Sequence, residues 1–173
     1  MKYFSGFSLQ NDAAFFEHII DKSEFCVVGF SYGAIHALQY VKNALSEGKR
    51  VDKLQLISPA FFQTKSDKFK RLQVRSYTYS KENYIQQFIQ ACFAPYEEKM
   101  CEHAENNVEQ LKELLYYEWE AEDFHLLERA NVVVEIYLGG ADNIIDAKSA
   151  REFFKELSHL TYIKEGNHFL LCE

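Results

Sequence analysis

Three short segments carry residue types suited to nucleophilic acyl chemistry. Gly29-Phe30-Ser31-Tyr32-Gly33 sets a serine between two glycines, Gly139-Gly140-Ala141-Asp142 supplies a carboxylate, and Gly166-Asn167-His168 supplies an imidazole. A serine hydroxyl attacks a carbonyl only when a base takes its proton, and the base works best when an acid fixes its tautomer. Ser31 as nucleophile, His168 as base and Asp142 as orienting acid would complete that relay. Each motif also has a plainer reading: an incidental serine in a Gly-rich turn, a loop aspartate capping the next helix, a surface histidine. Asp146 is better placed than Asp142 to cap that helix. The other histidines fit the relay less well: His18 and His36 fall in helical patterns, His103 and His125 in the middle of the chain, and His159 ahead of the last strand.

The elements that must position these groups are legible around them. Short β-branched or aromatic runs read as buried parallel strands: Lys2-Tyr3-Phe4, Phe25 to Val28, Leu54 to Ile57, Val132 to Leu138 and Leu160 to Ile163. Helical patterns alternate with them. Asp12 is placed to cap a helix carrying Phe15, Phe16, Ile19 and Ile20. Ala34, Ala37, Leu38, Val41 and Leu45 form a second stripe ended by Gly48, and a third helix runs from about Ala147 to Leu157. The alternation predicts an α/β fold with right-handed crossovers and a sheet covered on both faces. Ser31, Asp142 and His168 each follow a strand, which gathers them at one rim. The strand-to-helix position of Ser31 also places the Tyr32 N–H where a developing oxyanion would sit.

Residues 61–130 break the pattern. They show no convincing strand, but helical spacing recurs over Asn83–Phe93 and Val108–Trp119, with Pro95 between. An insertion of this length in a parallel-sheet domain is usually functional, so 1–173 is read as one domain with 61–130 as a helical cap. Phe61, Phe62, Tyr77, Tyr79, Tyr84, Phe88 and Trp119 could line an acyl channel there or pack the cap onto the core. Within the cap, Lys65, Lys68, Lys70, Arg71 and Arg75 place five cations against one anion in eleven residues. That segment reads either as a site for an acidic partner or as a solvated basic face.

The order Ser, Asp, His, each past a strand, resembles the α/β-hydrolase superfamily. The resemblance implies a minimal α/β-hydrolase with a mostly parallel sheet of about five strands and a helical cap. Phe4-Ser5-Gly6-Phe7 occupies the place of the family's His-Gly turn, with Ser5 in place of His, and implies Phe7 as the second oxyanion donor beside Tyr32. Family members commonly place another strand and helix between that turn and the nucleophile, whereas only residues 7–30 intervene here, and the usual final helix is expected to be reduced or absent. The Tyr3 to Phe7 start, the Gly29 to Gly33 elbow, the helical insertion and the Gly166-Asn167-His168-Phe169 end together are similar to the short pimeloyl-[acyl-carrier protein] methyl ester esterases of biotin synthesis. That resemblance implies a serine carboxylesterase releasing methanol, with acyl-carrier protein as partner and the basic segment 65–75 contacting the carrier or its phosphopantetheine phosphate. A general short-chain esterase or thioesterase, and a degenerate binding scaffold, remain as alternatives.

Composition narrows the classes. The net charge of -7 argues against a general nucleic-acid binder. The longest apolar runs are far short of a membrane span, and Met1-Lys2-Tyr3-Phe4 is not a secretory signal. Cys26, Cys92, Cys101 and Cys172 lack Cys-x-x-Cys spacing, which favours reduced thiols in a cytoplasmic protein and no structural zinc. No segment reads as a metal, nucleotide or flavin site, so no cofactor is expected. Oligomeric state is not encoded in any motif.

Overall fold

The computed structural model describes residues 1–173. In chain order the elements are β1 (Lys2–Phe4), β2 (Leu9–Gln10), a 3-10 helix (Asp12–Phe16), β3 (Cys26–Phe30), α1 (Tyr32–Ser46), β4 (Lys53–Ile57), α2 (Asp67–Tyr79) and α3 (Lys81–Phe93). They continue with β5 (Glu102–His103), α4 (Val108–Tyr116), α5 (Ala121–Arg129), β6 (Val133–Gly139), α6 (Ala147–Phe154) and β7 (His159–Ile163). Five strands form one sheet in the order β1-β3-β4-β6-β7, and every pairing is parallel. This is the predicted α/β sheet, with strand limits within a residue or two of the apolar runs.

Strand parity explains the two faces. Val27, Leu54, Leu56, Ile136 and Leu138 point into a core of 30 buried residues shared with α1, α5 and α6. Helix α1 contributes Ala34, Leu38 and Val41 and stops where its sequence predicts. Gly48 adopts φ +71, its N–H donates to the Leu45 carbonyl, and the Lys49 N–H donates to that of Ala44. This is a Schellman end, and the left-handed position suits glycine. The alternate residues Cys26, Val28, Phe30 and Ile57 face a second core of 12 residues.

That second face departs from expectation. Residues 12–20 do not make an α-helix capped by Asp12. They form a 3-10 turn and loop, and the Asp12 carboxyl is buried and folded back onto Gly6. Phe16, the end of α3 (Ile89, Cys92, Phe93) and Phe169-Leu170 complete the cover. At the other end of this face a polar strip replaces a helix. Lys53 Nζ bridges Asp21 and Glu135, each at 2.9 Å, while buried Gln55 binds the Asp21 N–H, the Ile19 carbonyl and Glu135. Gln55 thereby satisfies groups that no apolar residue could.

Residues 61–130 hold α2 to α5, and α2 and α4 open on a polar residue that caps them. Ser66 accepts from the Phe69 N–H, and Asn107 forms a reciprocal capping box with Gln110. One strand does occur in the segment: β5 pairs antiparallel with β2, joining Leu9 to His103 and Gln10 to Glu102. Two residues are too short for a periodicity signal, and their pairing spans more than ninety positions.

Candidate active site

The strand ends bring the three motifs together. Ser31 lies between β3 and α1 at φ 53, ψ -114, a strained conformation that lifts its side chain out of the turn. Both flanking glycines are required by contact. A Cβ on Gly29 would lie 2.4 Å from the Gly33 carbonyl oxygen, and one on Gly33 would lie 2.1 Å from the Phe4 carbonyl oxygen. The elbow is pinned from its neighbour strand by the Ser31 N–H donating to the Ile57 carbonyl at 2.9 Å.

His168 Nε2 lies 2.9 Å from Ser31 Oγ, and His168 Nδ1 lies 2.6 Å from Asp142 Oδ2. All three groups are buried, at 2%, 1% and 9% exposure for Ser31, His168 and Asp142, so water does not compete for these hydrogen bonds. The second carboxylate oxygen, Oδ1, accepts from the N–H groups of Ile144 (2.7 Å) and Ile145 (3.2 Å). Asp142 is therefore oriented by the backbone that follows it, while Asp146 caps α6 through the Ser149 N–H. The Asp and His loops are tied directly: Ala141 donates to the Gly166 carbonyl, and Gly140 to that of Ile163.

Asn167 holds the histidine loop, a role its motif alone did not disclose. Fully buried, it donates to the Phe93 carbonyl at 2.7 Å and accepts from the N–H groups of Phe169 (2.9 Å) and Leu171 (3.0 Å). An amide supplies both a donor and an acceptor, which this loop needs at once. The neighbouring Cys92 is no rival nucleophile. Burial, reinforced by the nearby Asp142 charge, pushes its thiol well above the ordinary range. Ser58, at the end of β4, has a buried hydroxyl without a partner. No group of three or more His, Cys, Asp or Glu side chains is gathered to hold a metal ion.

Phe7 and Tyr32 are also brought together. Their rings meet edge to face at 6.2 Å, and both residues are buried. The Phe7 N–H donates to no protein acceptor, and the Tyr32 N–H opens α1, where helix geometry leaves it free. The Tyr32 hydroxyl donates to Glu113 of α4 at 2.5 Å, and burial followed by that carboxylate pushes the phenol pKa up.

A cavity of about 230 Å³ opens beside Asn143 and Ile144, lined by Phe62, Phe69, Tyr84, Phe88 and Leu114, with Gln73 and Gln87 adding amides. Of the aromatics expected around a channel, Phe62, Tyr84 and Phe88 line this cavity. Phe61 and Trp119 instead pack against Phe154 in the core, Tyr77 is buried and donates to Asn106, and Tyr79 is 92% exposed. The basic segment is likewise divided. Lys68, Arg71 and Arg75 are exposed and Lys65 half-buried, but Lys70 is 5% exposed, with its ammonium over the Tyr116 ring. Helix periodicity turns position 70 inward, so it does not belong to a surface patch. Arg71 and Arg75 instead share a groove with Lys112 and Tyr116 of α4, and Lys112 carried no signal in the linear charge pattern.

The parallel sheet with its covering helices is shared with known structures. The chain has the α/β-hydrolase fold. An esterase from Exiguobacterium antarcticum superposes with TM-score 0.59 at 17% identity, covering 82% of this chain and 58% of its own. A bromoperoxidase from Bacillus anthracis gives 0.61 at 13% identity, covering 83% and 60%. BioG from Haemophilus influenzae gives 0.58 at 10% identity, covering 97% of this chain and 87% of its own. The chain thus spans less than two thirds of the first two hydrolase-fold proteins. No protein-family model and no curated protein sequence matches it. No helix is long and apolar enough to cross a membrane.

Proposed function

We propose that this protein is a serine carboxylesterase that hydrolyses the methyl ester of pimeloyl-[acyl-carrier protein] in biotin synthesis. The observation that carries the esterase reading is the buried chain of hydrogen bonds from Ser31 through His168 to Asp142. In this reading Ser31 Oγ attacks the ester carbonyl while His168 Nε2 takes its proton. The oxyanion is held by the N–H groups of Phe7 and Tyr32. Collapse of the tetrahedral intermediate expels methanol, which takes the proton from His168, and leaves an acyl group on Ser31. Water then gives a proton to His168 and attacks the acyl carbonyl. His168 returns the proton to Ser31 as the free acid leaves, and the thioester to the carrier is untouched.

Three observations support the substrate. The motifs resemble the short pimeloyl-carrier methyl esterases of biotin synthesis, and the BioG structure matches over nearly the whole of this chain. The cavity lining is dominated by apolar side chains, as an acyl chain requires. Exposed Arg71, Arg75 and Lys112 put cations on an otherwise acidic protein, complementary to an acidic carrier and its phosphopantetheine phosphate, with residues 61–130 serving as the cap that presents them. The four unpaired cysteines support a cytoplasmic setting.

The decisive experiment measures methanol release from methyl-pimeloyl-carrier by the wild type and by Ser31→Ala. Loss of at least about 10³-fold is expected, as in other serine hydrolases deprived of the nucleophile. Retained turnover in Ser31→Ala would refute the esterase mechanism, and preferential cleavage of the carrier thioester would replace the substrate with a thioester. Reversing the charges at Arg71 and Arg75 is expected to raise KM for the carrier-bound ester and leave a small soluble methyl ester unaffected. Equal effects on both would remove the carrier.

A further inference from the structure

Asp12 is the buried carboxyl that the proposed mechanism leaves without a task. It is 1% exposed. One oxygen, Oδ2, accepts from the Gly6 N–H at 2.9 Å and from the Tyr3 hydroxyl at 3.3 Å, while the other, Oδ1, is buried with no partner. A carboxyl buried with half its acceptor capacity unused carries a desolvation cost that an apolar side chain would not. Core packing therefore does not account for it.

The contacts of this turn converge on one residue. The Gly6 N–H is held by Asp12, and the Gly6 carbonyl accepts from the Leu9 N–H at 3.2 Å. Both sides of Gly6 are thus fastened to residues 9–12. In a trans peptide the N–H points opposite to the carbonyl. Anchoring the Gly6 carbonyl toward Leu9 turns the Phe7 N–H the other way, and that N–H has no protein acceptor. The same turn abuts the elbow: the position of a Gly33 Cβ is 2.5 Å from the Ser5 carbonyl oxygen, and β1 pairs Phe4 with Gly29. The turn also packs closely on β3, since a Cβ on Gly6 would lie 2.9 Å from the Phe30 ring.

We infer that Asp12 is a positioning residue of the oxyanion hole: its carboxyl holds the Gly6 N–H and so fixes the Ser5–Gly6 peptide, from which the next peptide, presenting the Phe7 N–H, is set. The inference rests on the proposed esterase reading, in which Phe7 and Tyr32 stabilise the oxyanion. Asp12 touches no substrate and acts only through the turn.

The test uses the full chain with Asp12→Leu and Asp12→Asn. Four quantities are read: kcat and KM on a soluble methyl ester, affinity for a trifluoromethyl ketone that mimics the tetrahedral intermediate, and melting temperature. Asp12→Leu is expected to lower kcat by about 10- to 100-fold, the range for a misplaced rather than deleted donor. Ketone affinity should fall by the same factor and KM should change less than about twofold, while the melting temperature should fall by several degrees because the Gly6 N–H loses its buried acceptor. Asp12→Asn keeps an oxygen for the Gly6 N–H and is expected to recover most of the loss. A folded Asp12→Leu enzyme with wild-type kcat and ketone affinity would overturn the inference. So would an Asp12→Asn loss as large as that of Asp12→Leu. If Asp12→Leu does not fold, Asp12→Ala takes its place, and failure of both to fold assigns Asp12 to stability alone and also overturns it. Labelling of wild-type Ser31 by a fluorophosphonate separates the two levels. An unlabelled wild type refutes the esterase reading, whereas a labelled wild type with unaffected Asp12 variants refutes only the role of Asp12.

Discussion

Replacing Asp142 by Asn changes one atom and, in this structure, should reverse the histidine tautomer. Asp142 Oδ1 accepts two backbone N–H bonds, from Ile144 and Ile145, and Oδ2 faces His168 Nδ1 at 2.6 Å. An asparagine must choose which end to turn toward the two N–H groups. Turning its NH₂ toward them sets donors against donors and leaves two buried N–H groups unsatisfied, at about 1–3 kcal/mol each. The opposite orientation keeps both bonds and presents NH₂ to His168. Nδ1 must then accept, the ring proton moves to Nε2, and Nε2 no longer takes a proton from Ser31. A penalty of about 2–6 kcal/mol confines the competent orientation to a few per cent at most and a few parts in about 10⁵ at least. The positive charge that forms on His168 also loses its counter-charge. Together these predict a kcat loss of about 10³- to 10⁴-fold, in the range seen when a triad aspartate becomes asparagine.

The assay is steady-state methanol release at neutral pH, with ¹⁵N NMR of the His168 ring. Because the substitution is isosteric, the melting temperature should move by no more than about 4 °C, the shift that about 1 kcal/mol produces in a chain of this size. The ring spectrum should show Nδ1 without its proton. A folded Asp142→Asn protein that keeps more than a tenth of wild-type kcat would refute this reasoning.

Three further outcomes follow from the scaffold. Gly33→Ala drives a Cβ onto the Phe4 and Ser5 carbonyls and should lower stability by at least about 1–3 kcal/mol, and activity with it. Gly48→Ala, at φ +71 with open space around it, should cost about 1–2 kcal/mol and spare activity; urea denaturation and turnover distinguish the two. Asp21 is held down to a pKa of about 2, from an ordinary 3.8, first by the Ser23 N–H and then by Lys53. Its folded value lies below its unfolded one, so its contribution is present above pH 4 and is lost as pH falls from about 4 toward 2. Asp21→Asn should therefore be less stable than wild type at pH 6, and the difference should close over that acid range. A gap in melting temperature that stays constant from pH 6 to pH 2.5 would count against the Asp21 assignment.

Much of this architecture is written in local patterns. Apolar runs mark the five parallel strands, most strongly β3 and β4, which are buried along nearly their whole length. The edge strands β1 and β7, expected to be buried, stay half-exposed because nothing pairs beyond them. The stripe from Ala34 to Leu45 marks α1 because one helical face meets the core. The elbow is legible since the close contacts at Gly29 and Gly33 exclude any side chain. Even the division of labour between Asp146 as cap and Asp142 as a loop carboxylate follows from spacing. What the tertiary structure alone decided are matters of partner and direction. Lys70 sits in a run of cations, yet its helix turns it onto Tyr116, while Lys112, distant in sequence, joins Arg71 and Arg75 in one groove. Asp12 has the position of a helix cap but reaches back to Gly6, because β1 and residues 9–12 converge there. Asn167 becomes the clamp of the histidine loop only when α3 brings the Phe93 carbonyl to it. Local propensity sets which element a residue joins. The N–H, carbonyl or ring it finally meets is set by how distant segments pack, and no spacing within one segment encodes that.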